Sequence, residues 1–169
     1  WSPEAVAGWF HALQVKASFE PRYNVCPTMA VPVAVNYKGK RHLVSMRWGF
    51  IPKWYKKPTD GPLLINARAE TIDKKPAFCS AFQTRRCLIP ADGFYEWHRE
   101  KGKGMEPWYI HPSKVELMAF AGIWQVWNSP YGERLVTCAI VTTEAGDDLA
   151  KVHQREPVTV RQEDFDLWL

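Results

Sequence analysis

Short strand-like runs broken by turn residues, never alternating with long helices, constrain this chain more than any other feature of its sequence. Val31–Tyr37 and Leu43–Trp48 are rich in β-branched and aromatic residues, and Lys38-Gly39-Lys40 between them reads as a hairpin turn. Further runs of this kind lie at Arg86–Ile89, Gly93–His98, Trp108–His111, Leu117–Trp124 and Leu135–Thr142. Arg99–Glu106, with Gly102 and Gly104, turns Gly93–His98 back into Trp108–His111. Helical signals are confined to the flanks. Ser2-Pro3-Glu4 supplies an N-cap, a first-turn proline and a first-turn acid, and Val6, Trp9, Phe10 and Leu13 follow at helical spacing. Short helices are expected at Glu144–Lys151 and Gln162–Leu169, and Trp48–Gly61 reads as a loop rich in proline, lysine and tryptophan. There is no βαβ alternation and no glycine-rich phosphate loop, which argues against Rossmann and P-loop folds. The expected fold is α+β: a single domain over residues 1–169, dominated by short antiparallel strands with a few flanking helices.

Composition narrows the class. At 169 residues, 46% hydrophobic and 24% charged, the chain can bury a core and does not have the makeup of a disordered segment. No run approaches the roughly 18 apolar residues of a membrane span, and no signal-peptide pattern opens the sequence. Cys26, Cys79, Cys87 and Cys138 are widely spaced with no C-x-x-C pair, so free buried thiols are expected rather than a zinc site or a disulfide framework. The net charge of +4 leans weakly towards polyanionic partners. Nine tryptophans exceed what a core of this size needs. A surplus tryptophan can stack on a nucleobase for about 1–3 kcal/mol, the alternative for any single one being a place in a large aromatic core.

Four polar segments interrupt apolar surroundings: Arg22–Pro27, Ile65–Thr71, Arg86–Trp97 and Val152–Val158. Glu96 lies between Tyr95 and Trp97; turned inward, desolvation would raise its pKa and suit it to proton transfer, whereas plain strand alternation would turn it to solvent. His153 carries an imidazole, which titrates near pH 6.5 when unperturbed and suits proton shuttling; the alternative is a hydrogen-bonded structural histidine. Asn66 and Arg68 share a face if Ile65–Ala69 is extended, and Arg68 would there grip a phosphate or pair with a carboxylate such as Glu70.

In this order the segments N-A-R-A-E-T, R-R-C-L-I-P-A-D-G-F-Y-E-W and H-Q-R-E-P-V resemble the SRAP (SOS response-associated peptidase) family. Arg22-Tyr23-Asn24 with Pro27, Arg47–Pro52 with Trp54, and Met118–Trp124 support the resemblance, which runs from about Arg22 to the end of the sequence. It implies a curved or barrel-like sheet and a protein that captures abasic sites in single-stranded DNA through an N-terminal cysteine. Glu96, His153 and Asn66 match the family's catalytic positions: Glu96 and His153 for proton transfers, Asn66 for holding the cysteine adduct. Arg68 and Arg155 match positions that hold flanking phosphates, Trp54 a tryptophan suited to stacking on a base, and Thr142 a backbone contact. No metal or other cofactor is implied. A monomer is the default, cytoplasmic and nucleoid-associated in a bacterium or nuclear in a eukaryote.

Three departures accompany the resemblance. The family's Cys-Gly-Arg start and its β-rich C-terminal tail are expected to lie outside residues 1–169, before Trp1 and after Leu169. Glu156 stands where an uncharged or basic residue is usual, and would weaken the phosphate grip of Arg155 or pair with it. Two other readings stay open: a non-covalent single-stranded nucleic-acid binding module, and a cysteine hydrolase that pairs one of the four thiols with His153.

Overall fold

The computed structural model describes residues 1–14, 19–114 and 116–169. Helix α1 (Pro3–Trp9) begins as expected, the Ser2 hydroxyl accepting the Ala5 N–H at 3.2 Å with proline in the first turn. It ends sooner than its apolar spacing suggests, because His11 takes a left-handed φ of 50°. Leu13, expected on the helix, instead starts β1 (Leu13–Gln14).

Strands β2 (Ala30–Tyr37) and β3 (Lys40–Trp48) form the expected hairpin. Lys38 (φ 52°) and Gly39 (φ 74°) are both left-handed, the combination a two-residue turn needs to match the strand twist. Then follow β4 (Asn66–Arg68), α2 (Cys79–Thr84), β5 (Arg86–Ala91), β6 (Phe94–Arg99), β7 (Met105–Ile110), β8 (Met118–Asn128), β9 (Arg134–Glu144) and β10 (Arg155–Pro157). A 3₁₀ turn at Gln162–Asp164 leads into α3 (Phe165–Trp168).

The order β3-β2-β5-β8-β9 closes on itself, because Arg47 and Trp48 of β3 pair in parallel with Thr137 and Cys138 of β9. The barrel-like sheet is therefore a small closed barrel of these five strands, with β1, β4 and β10 added to it. Period-two alternation sends Val31, Val33, Met46, Cys87, Ile89, Phe120 and Cys138 into one buried cluster. On the outside, α1 and α3 cover Ala34, Leu43 and Leu88 with Val6, Phe10 and Phe165, while Phe50, Ile72, Phe78 and Ala81 cover Ala121, Ile123 and Ala139. No helix among the described residues is long and apolar enough to cross a membrane.

Two further expectations are corrected, and some short elements are added. Glu144–Lys151 is not a helix: β9 continues to Glu144, held extended by β10, and residues 147–152 form turns. Helix α2 and the short strands β1, β4 and β10 had no assignment from periodicity, because runs of two to six residues carry too little pattern. All four cysteines are free, but only Cys87 and Cys138 are buried; Cys26 is exposed and Cys79 half-buried. Burial pushes the Cys87 thiol well above its ordinary value and that of Cys138 up to about 12, so both stay protonated at neutral pH. That removes them as nucleophiles of a cysteine hydrolase.

Candidate functional site

The β6–β7 hairpin forms a sheet of its own beside the barrel. Phe94 anchors it, packing edge-on against Phe120 with ring centres 5.8 Å apart. At its foot Gly93 has no alternative: a Cβ there would lie 2.5 Å from the Tyr109 ring and 2.7 Å from the Ile110 carbonyl. Alternation leaves Tyr95, Trp97 and Arg99 exposed and half-buries Phe94, Glu96 and His98. Glu96 thus belongs to the anchored face, its side chain 25% exposed. One carboxylate oxygen accepts the Trp97 backbone N–H at 3.1 Å, and the other lies 3.8 Å from His153 Nδ1. That separation is too long for a hydrogen bond but makes the two groups electrostatic neighbours.

His153 follows the 147–152 turns, fastened by its own N–H to the Leu149 carbonyl at 2.9 Å. Its Nδ1 lies 3.1 Å from both the Arg155 backbone N–H and the Arg155 carbonyl oxygen, accepting from the first or donating to the second according to which ring nitrogen holds the proton. The Arg155 side chain, from β10, crosses the end of β9 to Glu70, just beyond β4. Its two terminal nitrogens donate to the two Glu70 carboxylate oxygens at 2.9 and 3.0 Å. One of them also reaches the Thr142 carbonyl at 2.9 Å and the Thr142 hydroxyl at 3.0 Å. The hydrogen bonds from Arg155 hold the Glu70 carboxyl down at about 2. The carboxylate partner that the sequence offered to Arg68 is therefore taken by Arg155. Glu156 does not pair with Arg155; it points the other way along β10 and lines a separate cleft with Trp9 and His111.

On β4, Asn66 and Arg68 are exposed and Ala67 is buried, so the expected shared face is present. Parallel pairing sets Asn66 beside Ile140 and Arg68 beside Thr142. Among the described residues, Arg68 has no ion pair or side-chain hydrogen bond. Thr142 is only 8% exposed, which makes its hydroxyl a support for Arg155 rather than an open surface group.

A cavity of about 810 Å³ opens beside this region, lined by Trp1, Trp48, Glu96, Trp97, Tyr109 and Ile140 among others. Glu96 lines it directly. Asn66 adjoins it through its neighbour Ile140, and His153 through Glu96. Trp54 stands apart, 60% exposed on a loop fixed by the Trp127 indole N–H to the Tyr55 carbonyl at 2.8 Å. The tryptophans divide: Trp127 is fully buried, while Trp1, Trp54, Trp97 and Trp108 are about half exposed. Among the described residues no group of three or more His, Cys, Asp or Glu side chains is placed to hold a metal ion.

The contributions of Tyr109 and Trp1 to the cavity were not legible in the sequence. Tyr109 depends on the hairpin register opposite Tyr95, and Trp1 on how α1 docks. Glu70 was legible as a carboxylate partner but was matched to Arg68, its near neighbour in sequence, rather than to Arg155 across the sheet.

The profile of the SRAP (SOS response associated peptidase) family matches residues 1–169, and the chain belongs to that family. Abasic site processing protein YoqW of Bacillus subtilis (strain 168) is 40% identical over 154 residues, covering 91% of this chain and 69% of that protein. Abasic site processing protein HMCES of Gallus gallus is 31% identical over 183 residues, and the matched part spans 89% of this chain but 54% of that protein. A crystal structure of a Bacteroides thetaiotaomicron protein superposes with a TM-score of 0.75 at 28% identity, covering 84% of this chain and 63% of that one. A Bordetella bronchiseptica protein reaches a TM-score of 0.82 over 98% of this chain and 83% of its own, at 24% identity, a likeness of fold alone.

Proposed function

We propose that this chain is the core of an enzyme that captures abasic sites in single-stranded DNA as a covalent DNA–protein crosslink. The observation that carries the reading is the Glu96–His153 pair, 3.8 Å apart beside a cavity that Glu96 and Trp1 both line. Abasic site processing in the names of relatives 40% and 31% identical supports the substrate class.

The reacting group is an N-terminal cysteine ahead of Trp1. An abasic sugar is a hemiacetal in equilibrium with a ring-opened aldehyde. A free α-amine titrates near 7.7–8.0, against about 10.4 for a lysine, so much more of it is unprotonated at neutral pH. The amine adds to the aldehyde, water leaves to give an imine, and the thiol on the same residue adds to the imine carbon to close a thiazolidine. None of the internal cysteines offers both groups, because their nitrogens are in peptide bonds. Glu96 and His153 carry the proton transfers of ring opening, loss of water and reversal, and Asn66 holds the adduct. Arg68 meets a flanking phosphate with an open guanidinium; Arg155, expected to do the same, is paired with Glu70 and Thr142 and would reach a phosphate only by leaving them. Trp54 stacks on a base. The same pair of proton carriers serves a peptidase-like release of the initiator residue that exposes the cysteine.

The test uses the full-length protein and single-stranded DNA with one abasic site. A heat-stable crosslink is expected, and it should vanish when the N-terminal cysteine becomes serine. A crosslink that survives that change overturns the mechanism. The exposed aromatic rings also suit a non-covalent single-stranded binding module; tight binding with no crosslink at any time point would favour it.

A further inference from the structure

We infer that Glu70 is a positioning residue for His153, acting through Arg155. The geometry forms one chain of contacts. The Glu70 carboxylate takes both terminal nitrogens of Arg155, and the Thr142 carbonyl and hydroxyl take further bonds from one of them. With its side chain held at four acceptor atoms, Arg155 has little freedom to move along β9. Its backbone N–H and its carbonyl oxygen each lie 3.1 Å from His153 Nδ1. Whichever of the two backbone groups Nδ1 bonds, the contact ties the tautomer and the ring plane of His153 to the position of the Arg155 backbone. The strap also joins three segments: β10, the end of β9 and the turn just beyond β4. Glu70 therefore controls where the imidazole sits relative to Glu96, although it touches neither.

A two-oxygen, charge-assisted fork is the strongest side-chain contact available for this purpose, and it is geometrically selective where a lysine–carboxylate pair is not. The Arg155 Nε is buried without a partner, a cost that a purely surface ion pair would not carry. Glu70 itself remains 43% exposed, so changing it removes no core packing.

The catalytic part of the inference rests on the reading of His153 as a proton carrier, so the primary readout is independent of activity. In full-length protein labelled with ¹⁵N, long-range ¹H–¹⁵N correlation reports the protonation of each nitrogen of His153. With the ring neutral, wild type should show His153 held in a single tautomer. Glu70→Ala should give a mixture of tautomers, and Glu70→Gln, which keeps one acceptor oxygen, should restore the wild-type pattern in part. Thr142→Val removes the hydroxyl acceptor independently and should shift His153 the same way, by less. An unchanged His153 signal in both Glu70 variants overturns the inference, whatever the crosslinking result. If the signal changes as expected but wild type forms no crosslink, the functional reading fails while the positioning role stands. With crosslinking present, Glu70→Ala should slow it about tenfold, less than the ~100-fold that a 1 Å misplacement of a reacting group costs.

Discussion

The two walls that meet at Glu96 and His153 differ in how they are held. On the β4–β9–β10 wall, Arg155, Thr142 and His153 are tied to one another, to Glu70 and to backbone atoms, which leaves Asn66 and Arg68 as its open polar groups. The β6–β7 hairpin opposite is a two-stranded sheet of its own, with Tyr95, Trp97, Trp108 and Tyr109 each about half exposed. Under the proposed function, reaction geometry would depend on the first wall, where small displacements matter, and base contact on the second, where a flat ring accepts any base. Glu96 belongs to the second wall by sequence and to the first by chemistry, which makes it the residue through which the difference can be probed.

The largest effect is expected at that junction. Glu96→Gln or His153→Ala should slow crosslinking by about 10²- to 10⁴-fold while leaving affinity for abasic single-stranded DNA nearly unchanged. Quenched crosslinking time courses beside fluorescence anisotropy would separate the two quantities, and a matching loss of affinity would dissolve the distinction between the walls. Next comes Trp54, which stands outside both walls. Trp54→Ala should weaken single-stranded DNA binding by about 1–3 kcal/mol with little change in the rate of the bound complex. Within the fixed wall, Arg155→Ala should lower stability by about 1 kcal/mol in urea titrations, because it removes the partner of the buried Thr142 hydroxyl, whereas Arg68→Ala should change it by less than about 0.5 kcal/mol. Arg68→Ala should instead reduce the slope of log affinity against log salt by about 0.7.

The smallest effect is a pH dependence. The Glu70 carboxyl is depressed to about 2 in the folded protein, mainly by its hydrogen bonds from Arg155, against an ordinary value of 4.5. A depressed carboxyl contributes stability that is fully present above the ordinary value and fades as pH falls through the folded one. The Arg155–Glu70 contact should therefore be intact at neutral pH and open between about pH 4.5 and 2. Solvent exposure keeps its contribution to stability small. A carboxyl ¹³C titration of Glu70 with a midpoint near the ordinary value would show that the fork does not persist in solution.

Much of this was legible in the residues, and the exceptions share a cause. The β2–β3 hairpin follows from β-branched runs around Lys38-Gly39, and the shared face of Asn66 and Arg68 from alternation in an extended segment. Closure of the barrel was not legible in the strand patterns themselves, because the parallel pairing of Trp48 with Cys138 joins residues 90 positions apart with no turn to announce it. The same distance hid the partner of Arg155, since Glu70 lies 85 positions away. Leu13 was misplaced because apolar spacing continues past the point where His11 reverses the backbone. Local chemistry is written locally; pairings across the sheet are not.

The most direct test of the account is a double-mutant cycle on Glu96 and His153, read as crosslinking rate with abasic single-stranded DNA. The account places both groups in the same proton transfers, 3.8 Å apart. It predicts that Glu96→Gln combined with His153→Ala will be little slower than the more damaging single change. Fully additive losses, as for two sites that do not share a step, would contradict it.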